Sequence, residues 1–167
     1  RKNRSSVAVL HGNESEDELK LLGEDVFRYF GLGCRNVSKI YLPQDFDLNR
    51  LFGAFFPYKD VIENKKYGNN YDYNRAIFMM ERHEFLENGF VIIKAEKSLH
   101  APVSVLHYER YEDVAAVQEE LTTKEELLQC VVNGGELPGA VAFGQTQKPQ
   151  LWDYADRVDT IRFLRSV

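Results

Sequence analysis

The first feature able to do chemistry is a thiol with little around it. In Gly31-Leu32-Gly33-Cys34-Arg35, Cys34 follows two glycines and precedes an arginine. The glycines leave the sulfur sterically open, and a neighbouring guanidinium favours the thiolate, the form that attacks a carbonyl carbon. The same position also suits a small buried filler, because free cysteine is among the most buried residue types. Both readings of Cys34 stand at this level. Cys130, inside Leu127-Leu128-Gln129-Cys130-Val131-Val132, reads as core. The four histidines His11, His83, His100 and His107 never pair at ligand spacing, and the cysteines form no Cys-x-x-Cys unit, so no metal site is expected. Gly31-Leu32-Gly33 leads into a strand, whereas a dinucleotide-binding glycine loop opens a helix, so this is no phosphate cradle.

The elements that must position Cys34 follow from the hydrophobic pattern. Residues 6–10 read as a short buried strand. Ser15 and Glu18 stand at capping-box spacing, and Leu19, Leu22, Val26, Phe27 and Phe30 make one apolar helical face, so a helix is expected over 15–30 with Gly31 as its left-handed stop. Residues 37–42 alternate as a strand that Pro43 ends. Cys34 therefore sits on a connection between helix and strand. Helices are expected at 47–56 and 70–82 with a turn at 67–71, then strands at 89–94 and 103–108 and an acidic amphipathic helix over 111–121. Short strands at 129–132 and 141–143 follow, and a last strand at 160–164. This alternation predicts an α/β fold, a three-layer αβα sandwich with a largely parallel sheet.

Composition removes several classes. The chain has 167 residues, 44% of them hydrophobic and 13% aromatic, which is enough for a single domain with a real core and too apolar for disorder. A net charge of −5 without any basic cluster argues against nucleic acid as a partner. No run approaches a membrane span, and the basic start Arg1-Lys2-Asn3-Arg4 lacks the apolar stretch of a secretion signal. Two cysteines far apart fit free thiols in a cytoplasmic setting. The chain begins with Arg, and its only methionines are Met79 and Met80, so a missing upstream part is expected.

Three segments then resemble the aldehyde dehydrogenase superfamily in its own order. Residues 31–42 resemble its nucleophile segment, with Ser38-Lys39 leading into an apolar strand. Ser98-Leu99-His100-Ala101-Pro102-Val103 resembles its Glu-x-Phe-Gly-Pro-Val segment, and Val141-Ala142-Phe143-Gly144 its Pro-Phe-Gly-Gly turn. Within the superfamily the likeness is greater to LuxC-type acyl-CoA reductases, related to the reductase of the bacterial luminescence fatty-acid complex. Residues 31–38, 71–74, 98–105 and Phe143-Gly144-Gln145-Thr146 through Trp152-Asp153-Tyr154-Ala155-Asp156 carry that finer likeness. The resemblance spans nearly the whole chain, residues 1–167, as the C-terminal, cysteine-bearing half of a larger enzyme.

The resemblance implies reduction of long-chain fatty acyl-CoA to fatty aldehyde by NADPH, with Cys34 as the nucleophile that carries the acyl group as a thioester. It implies Ser98 and His100 as cofactor contacts and Phe143 and Gly144 as substrate contacts, with most of the NADPH held by the upstream half. Three departures weaken the carry-over: Ser98 stands where the superfamily has Glu, His100 where it has Phe, and Leu32 where Gln commonly precedes the nucleophile. No water-activating carboxylate can be assigned to Glu14, Glu18 or Glu24. A reductase tolerates that, because hydride transfer rather than hydrolysis discharges its thioester. Two other readings remain: a non-catalytic α/β interaction or oligomerisation module, or an acylating aldehyde dehydrogenase for short chains. The terminal strand at 160–164 would let copies pair into a homo-oligomer under any of them.

Overall fold

The computed structural model describes residues 4–135, 137–154 and 158–166. The start Arg1-Lys2-Asn3 and the pair Ala155-Asp156 lie outside the described residues. The first strand, β1 (Ser5–Val9), carries the continuous apolar run Val7-Ala8-Val9, and both of its faces are buried. Helix α1 (Glu16–Phe27) begins at the capping box, with Ser15 and Glu18 exchanging hydrogen bonds as expected. It ends three residues early, however, because Arg28–Gly31 form a 3-10 turn in which Tyr29 and Phe30 take positive φ of 52° and 61°. Phe30 consequently leaves the apolar face and is exposed.

β2 (Val37–Pro43) pairs in parallel with β1. Helix α2 (Asn49–Phe55) follows and runs into a 3-10 segment, Phe56–Glu63. The expected turn at 67–71 is instead inside helix α3 (Lys65–Met80). Its glycine and asparagines resemble turn chemistry, but the Asn64 side chain caps the helix on Lys66 and Tyr67, and Tyr67 and Tyr71 bury one turn apart. Gly68 is there for contact: a Cβ would meet the Ile62 carbonyl oxygen at 2.9 Å.

The two-residue β3 (Leu86–Glu87) runs antiparallel to β4 (Ile92–Ala95), and β4 pairs in parallel with β5 (Val105–Tyr111). Helix α4 (Val114–Thr123) leads to β6 (Leu128–Val132) beside β1. The sheet order is β3-β4-β5-β2-β1-β6, parallel except for β3. The expected strand at 141–143 reduces to one bridge, Val132 to Val141. The expected terminal strand is a helix, α5 (Thr160–Arg165), capped by Asp159, so oligomerisation through a strand at 160–164 is withdrawn.

Helices cover both faces of the sheet, as the three-layer expectation requires. Ala8, Leu10, Ile40, Leu42 and Leu106 pack with the α1 and α2 side chains Leu19, Leu22, Leu51 and Phe55. Val7, Val9, Tyr41 and Leu128 face Val117 and Leu121 of α4. Among the described residues, no helix is long and apolar enough to cross a membrane.

Candidate active site around Cys34

Cys34 is exposed, at the tip of a turn that the rest of the chain holds rigidly. The Asn36 amide nitrogen donates to the Gly33 carbonyl at 3.0 Å, and the Gly33 amide donates to Asn36 Oδ1 at 2.9 Å. Asn36 Nδ2 donates to the carbonyls of Asp25 at 3.0 Å, Val26 at 3.3 Å and Arg28 at 2.8 Å. A single buried amide therefore closes the Cys34 turn and binds two carbonyls in the last turn of α1, those of Asp25 and Val26, with that of Arg28 just after it.

Neighbouring segments fix the same turn from two further sides. Arg35 Nε donates to the Thr146 carbonyl. The fully buried Asp25 carboxylate accepts from the Gly144 amide at 2.7 Å, the Thr146 amide at 3.0 Å and the Thr146 hydroxyl at 2.8 Å. Burial pushes the Asp25 carboxyl above its ordinary range, against the pull of these three donors. On the strand side, the Ser6 hydroxyl donates to the Cys34 carbonyl at 2.9 Å and accepts from the Cys130 amide at 3.1 Å. The two cysteines thus lie on neighbouring segments with different fates: burial pushes the Cys130 thiol up, away from reactivity, while Cys34 meets solvent.

Ser98 and His100 lie at the same end of the sheet. The Ser38 hydroxyl, one residue into β2, donates to the Leu99 carbonyl at 2.7 Å. Lys39 Nζ donates to the Lys97 carbonyl at 2.8 Å, and His107 Nδ1 bonds the Ser98 carbonyl at 3.1 Å. Three successive carbonyls are held from below, which leaves the Ser98 and His100 side chains exposed. The Ser98 hydroxyl is closed on its own loop, donating to the His100 carbonyl at 2.9 Å. Beneath the loop, Lys39, His107 and Lys94 stand side by side across β2, β5 and β4. Glu109 pairs with Lys39 at 2.6 Å and Glu96 with Lys94 at 2.9 Å. The Lys94 ammonium and the Lys97 amide hold Glu96 down at about 2. Burial pushes His107 below 6.5, aided by the two lysines and opposed by the Ser98 carbonyl and Glu96.

Phe143 and Gly144 lie deeper. Phe143 is in the core with α1, and the Gly144 amide is committed to Asp25, with Leu21 3.0 Å from where a Cβ would stand. A cavity of about 810 Å³ lies on the α4 side of β6; Arg35 and Cys130 line it, and Phe143 and Gly144 do not. The three carboxylates that sequence reasoning left unassigned have structural partners. Glu14 accepts from the His11 and Gly12 amides, Glu18 belongs to the capping box and Glu24 pairs with Arg28. Among the described residues, no group of three or more His, Cys, Asp or Glu could hold a metal ion. Sequence reasoning missed Asp25, Asn36 and Thr146. Asp25 alone had a visible signal, a carboxylate flanked by Leu22 and Val26 on the apolar helix face.

No family model matches the sequence, and no curated protein matches it. Solved structures do. The P. syringae AldA indole-3-acetaldehyde dehydrogenase, a mutant in complex with NAD+ and IAA, superposes with a TM-score of 0.56 at 10% identity over 83% of this chain and 35% of that one. The M. tuberculosis Delta-pyrroline-5-carboxylate dehydrogenase bound with NAD gives 0.45 at 14% identity, over 79% and 30%. The chain spans about a third of the length of these enzymes. The fold is therefore the α/β fold found in an aldehyde dehydrogenase.

Two outcomes check this geometry. Asn36→Ala leaves the Gly33 amide and three carbonyls without the Asn36 partner, and should lower the unfolding free energy in urea by about 2 kcal/mol; a change of less than about 0.5 kcal/mol would contradict it. Because folding selects the neutral His107 ring, the native state binds fewer protons than the unfolded one below 6.5. Stability should therefore fall as pH drops through that value toward the depressed one, and His107→Gln should flatten this fall. Parallel profiles for the two proteins between about pH 5 and 8 would contradict the assignment.

Proposed function

We propose that this chain is the cysteine-bearing part of a longer oxidoreductase that reduces long-chain fatty acyl-CoA to fatty aldehyde with NADPH. The observation that carries the proposal is the exposed Cys34, held on a pinned turn at the sheet end it shares with Ser98 and His100, in a fold found in an aldehyde dehydrogenase. The likeness of segments 31–38, 71–74, 98–105 and 143–156 to acyl-CoA reductases favours the reductase over a dehydrogenase. The structural partners of Glu14, Glu18 and Glu24 are compatible with reduction, whose hydride step needs no base for water.

The Cys34 thiolate attacks the acyl carbonyl carbon, the carbon–sulfur bond to CoA breaks, and the CoA thiolate leaves and takes a proton. The acyl group then rests on Cys34 as a thioester. The backbone N–H of Cys34 faces the charge that builds on the carbonyl oxygen. Exposed Ser98 and His100, on a loop whose backbone is already anchored, fit the polar edge of a nicotinamide nucleotide, with the Ser98 hydroxyl as a hydrogen-bond partner for a ribose hydroxyl. When bound, the reduced nicotinamide supplies hydride to the thioester carbon. Cys34 sulfur then departs as thiolate and releases the aldehyde. A reducing cytosol suits an enzyme that works through a free, exposed thiol.

In the full-length enzyme, Cys34→Ala should lower acyl-CoA-dependent NADPH oxidation by at least about 1,000-fold, with nucleotide binding retained. Activity within about tenfold of the native enzyme would refute the role of Cys34.

A further inference from the structure

Cys130 has no part in the chemistry so far, yet the fold sets it beside the Cys34 turn. The register of β1 slips around Ser6 toward both neighbours: Ser5 stands opposite Leu128 but Val7 opposite Val131, and Ser6 stands opposite Val37 but Val7 opposite Lys39. Each neighbouring strand thus carries one extra residue at this level, a distortion that re-aims side chains. The fully buried Ser6 hydroxyl joins the two strands, donating to the Cys34 carbonyl at 2.9 Å and accepting from the Cys130 amide at 3.1 Å. The backbones of the two cysteines therefore meet at one oxygen atom, although they lie far apart in the sequence. We propose that Cys34 and Cys130 form a redox pair, in which a hydroperoxide oxidises Cys34 and Cys130 captures it as a reversible disulfide.

Exposure divides the roles. Cys34 meets solvent and any dissolved oxidant, whereas Cys130 is 4% exposed and shielded from it. Burial pushes the Cys130 thiol up and keeps it protonated, while Arg35 and the Ser6 hydroxyl pull it down. Cys34 also pushes it up, an influence that a distant thiol would not exert. Bridging needs Cα atoms within about 7 Å, and backbones that share one hydroxyl start close to that.

The chemistry balances with the peroxide as the two-electron oxidant. Cys34 sulfur attacks one peroxide oxygen, the O–O bond breaks, and hydroxide leaves and takes the thiol proton, giving water and a sulfenic acid. Cys130 sulfur then attacks Cys34 sulfur. The S–O bond breaks, the S–S bond forms, and the departing hydroxide leaves as water with the Cys130 proton. The pair forms whatever reaction Cys34 performs; in the reductase proposed above it would block acylation until a dithiol restores both cysteines.

Full-length enzyme treated with dilute hydrogen peroxide, denatured with iodoacetamide present and digested without reductant, should yield a disulfide-linked peptide pair joining Cys34 to Cys130. Sulfinic or sulfonic acid at Cys34 with Cys130 alkylated, or Cys34 joined to a second copy, would overturn the proposal. In Cys130→Ser the same treatment should carry Cys34 past sulfenic acid. Dithiothreitol should then recover at least about tenfold less alkylatable Cys34 than in the native protein; equal recovery would also overturn it. The two readings fail separately: a Cys34–Cys130 link in an enzyme that never acylates Cys34 keeps the redox pair and removes the reductase, while acylated Cys34 without a link does the reverse.

Discussion

The amide of Asn36 is the interaction on which the site depends. A helix end leaves carbonyls without partners, and proteins usually satisfy them with solvent or a glycine in the left-handed conformation. Here Asn36 reaches back from beyond the turn and binds the carbonyls of Asp25, Val26 and Arg28. That clamp accompanies an unusual helix exit, in which Tyr29 and Phe30 both occupy the left-handed region before Gly31. Each such residue costs on the order of 1 kcal/mol, and backbone strain of this kind persists only where surrounding contacts over-determine it. The chain exits α1 at an angle that brings Gly33 onto Asn36 and lifts Cys34 into solvent. Glycine at 33 is required for the same reason, since a Cβ would come within 2.9 Å of Asn36 Oδ1.

A second constraint works across the sheet. Lys39, His107 and Lys94 form a row of basic groups in register on three parallel strands, where like charges would repel if left alone. Glu109 and Glu96 neutralise the lysines, and the carbonyls of Lys97 and Ser98 absorb the remaining donors. The cost of burying polar groups is thereby converted into a rigid loop above them. Ser38 extends this arrangement to Leu99. The Cys34 turn leads directly into β2, whose Ser38 and Lys39 side chains hold the Ser98–His100 loop.

Much of this was legible in the sequence because it is local. The capping box at Ser15 and Glu18, the Pro43 strand end and the glycine-flanked thiol each declare themselves within a few residues. Residues 67–71 and 160–164 did not, because local composition pointed one way and capping another: Asn64 starts α3 through a glycine and two asparagines, and Asp159 caps α5 despite the strand-like Ile161 and Phe163. Asn36 and Thr146 carry no signal at all, since their partners lie on other segments. The cavity is less visible still. Its walls come from α4, β6, the segments after β6 and Arg35 beside Cys34, which lie far apart in the sequence.

The central claim is that Cys34 carries the substrate as a covalent adduct, and intact-mass spectrometry of the full-length enzyme tests it most directly. Incubation with a long-chain acyl-CoA and no nucleotide should add one acyl group, mapping to Cys34 and to no position on Cys130, and the adduct should vanish when NADPH is supplied. A folded enzyme whose Cys34 stays unmodified under those conditions would contradict the account.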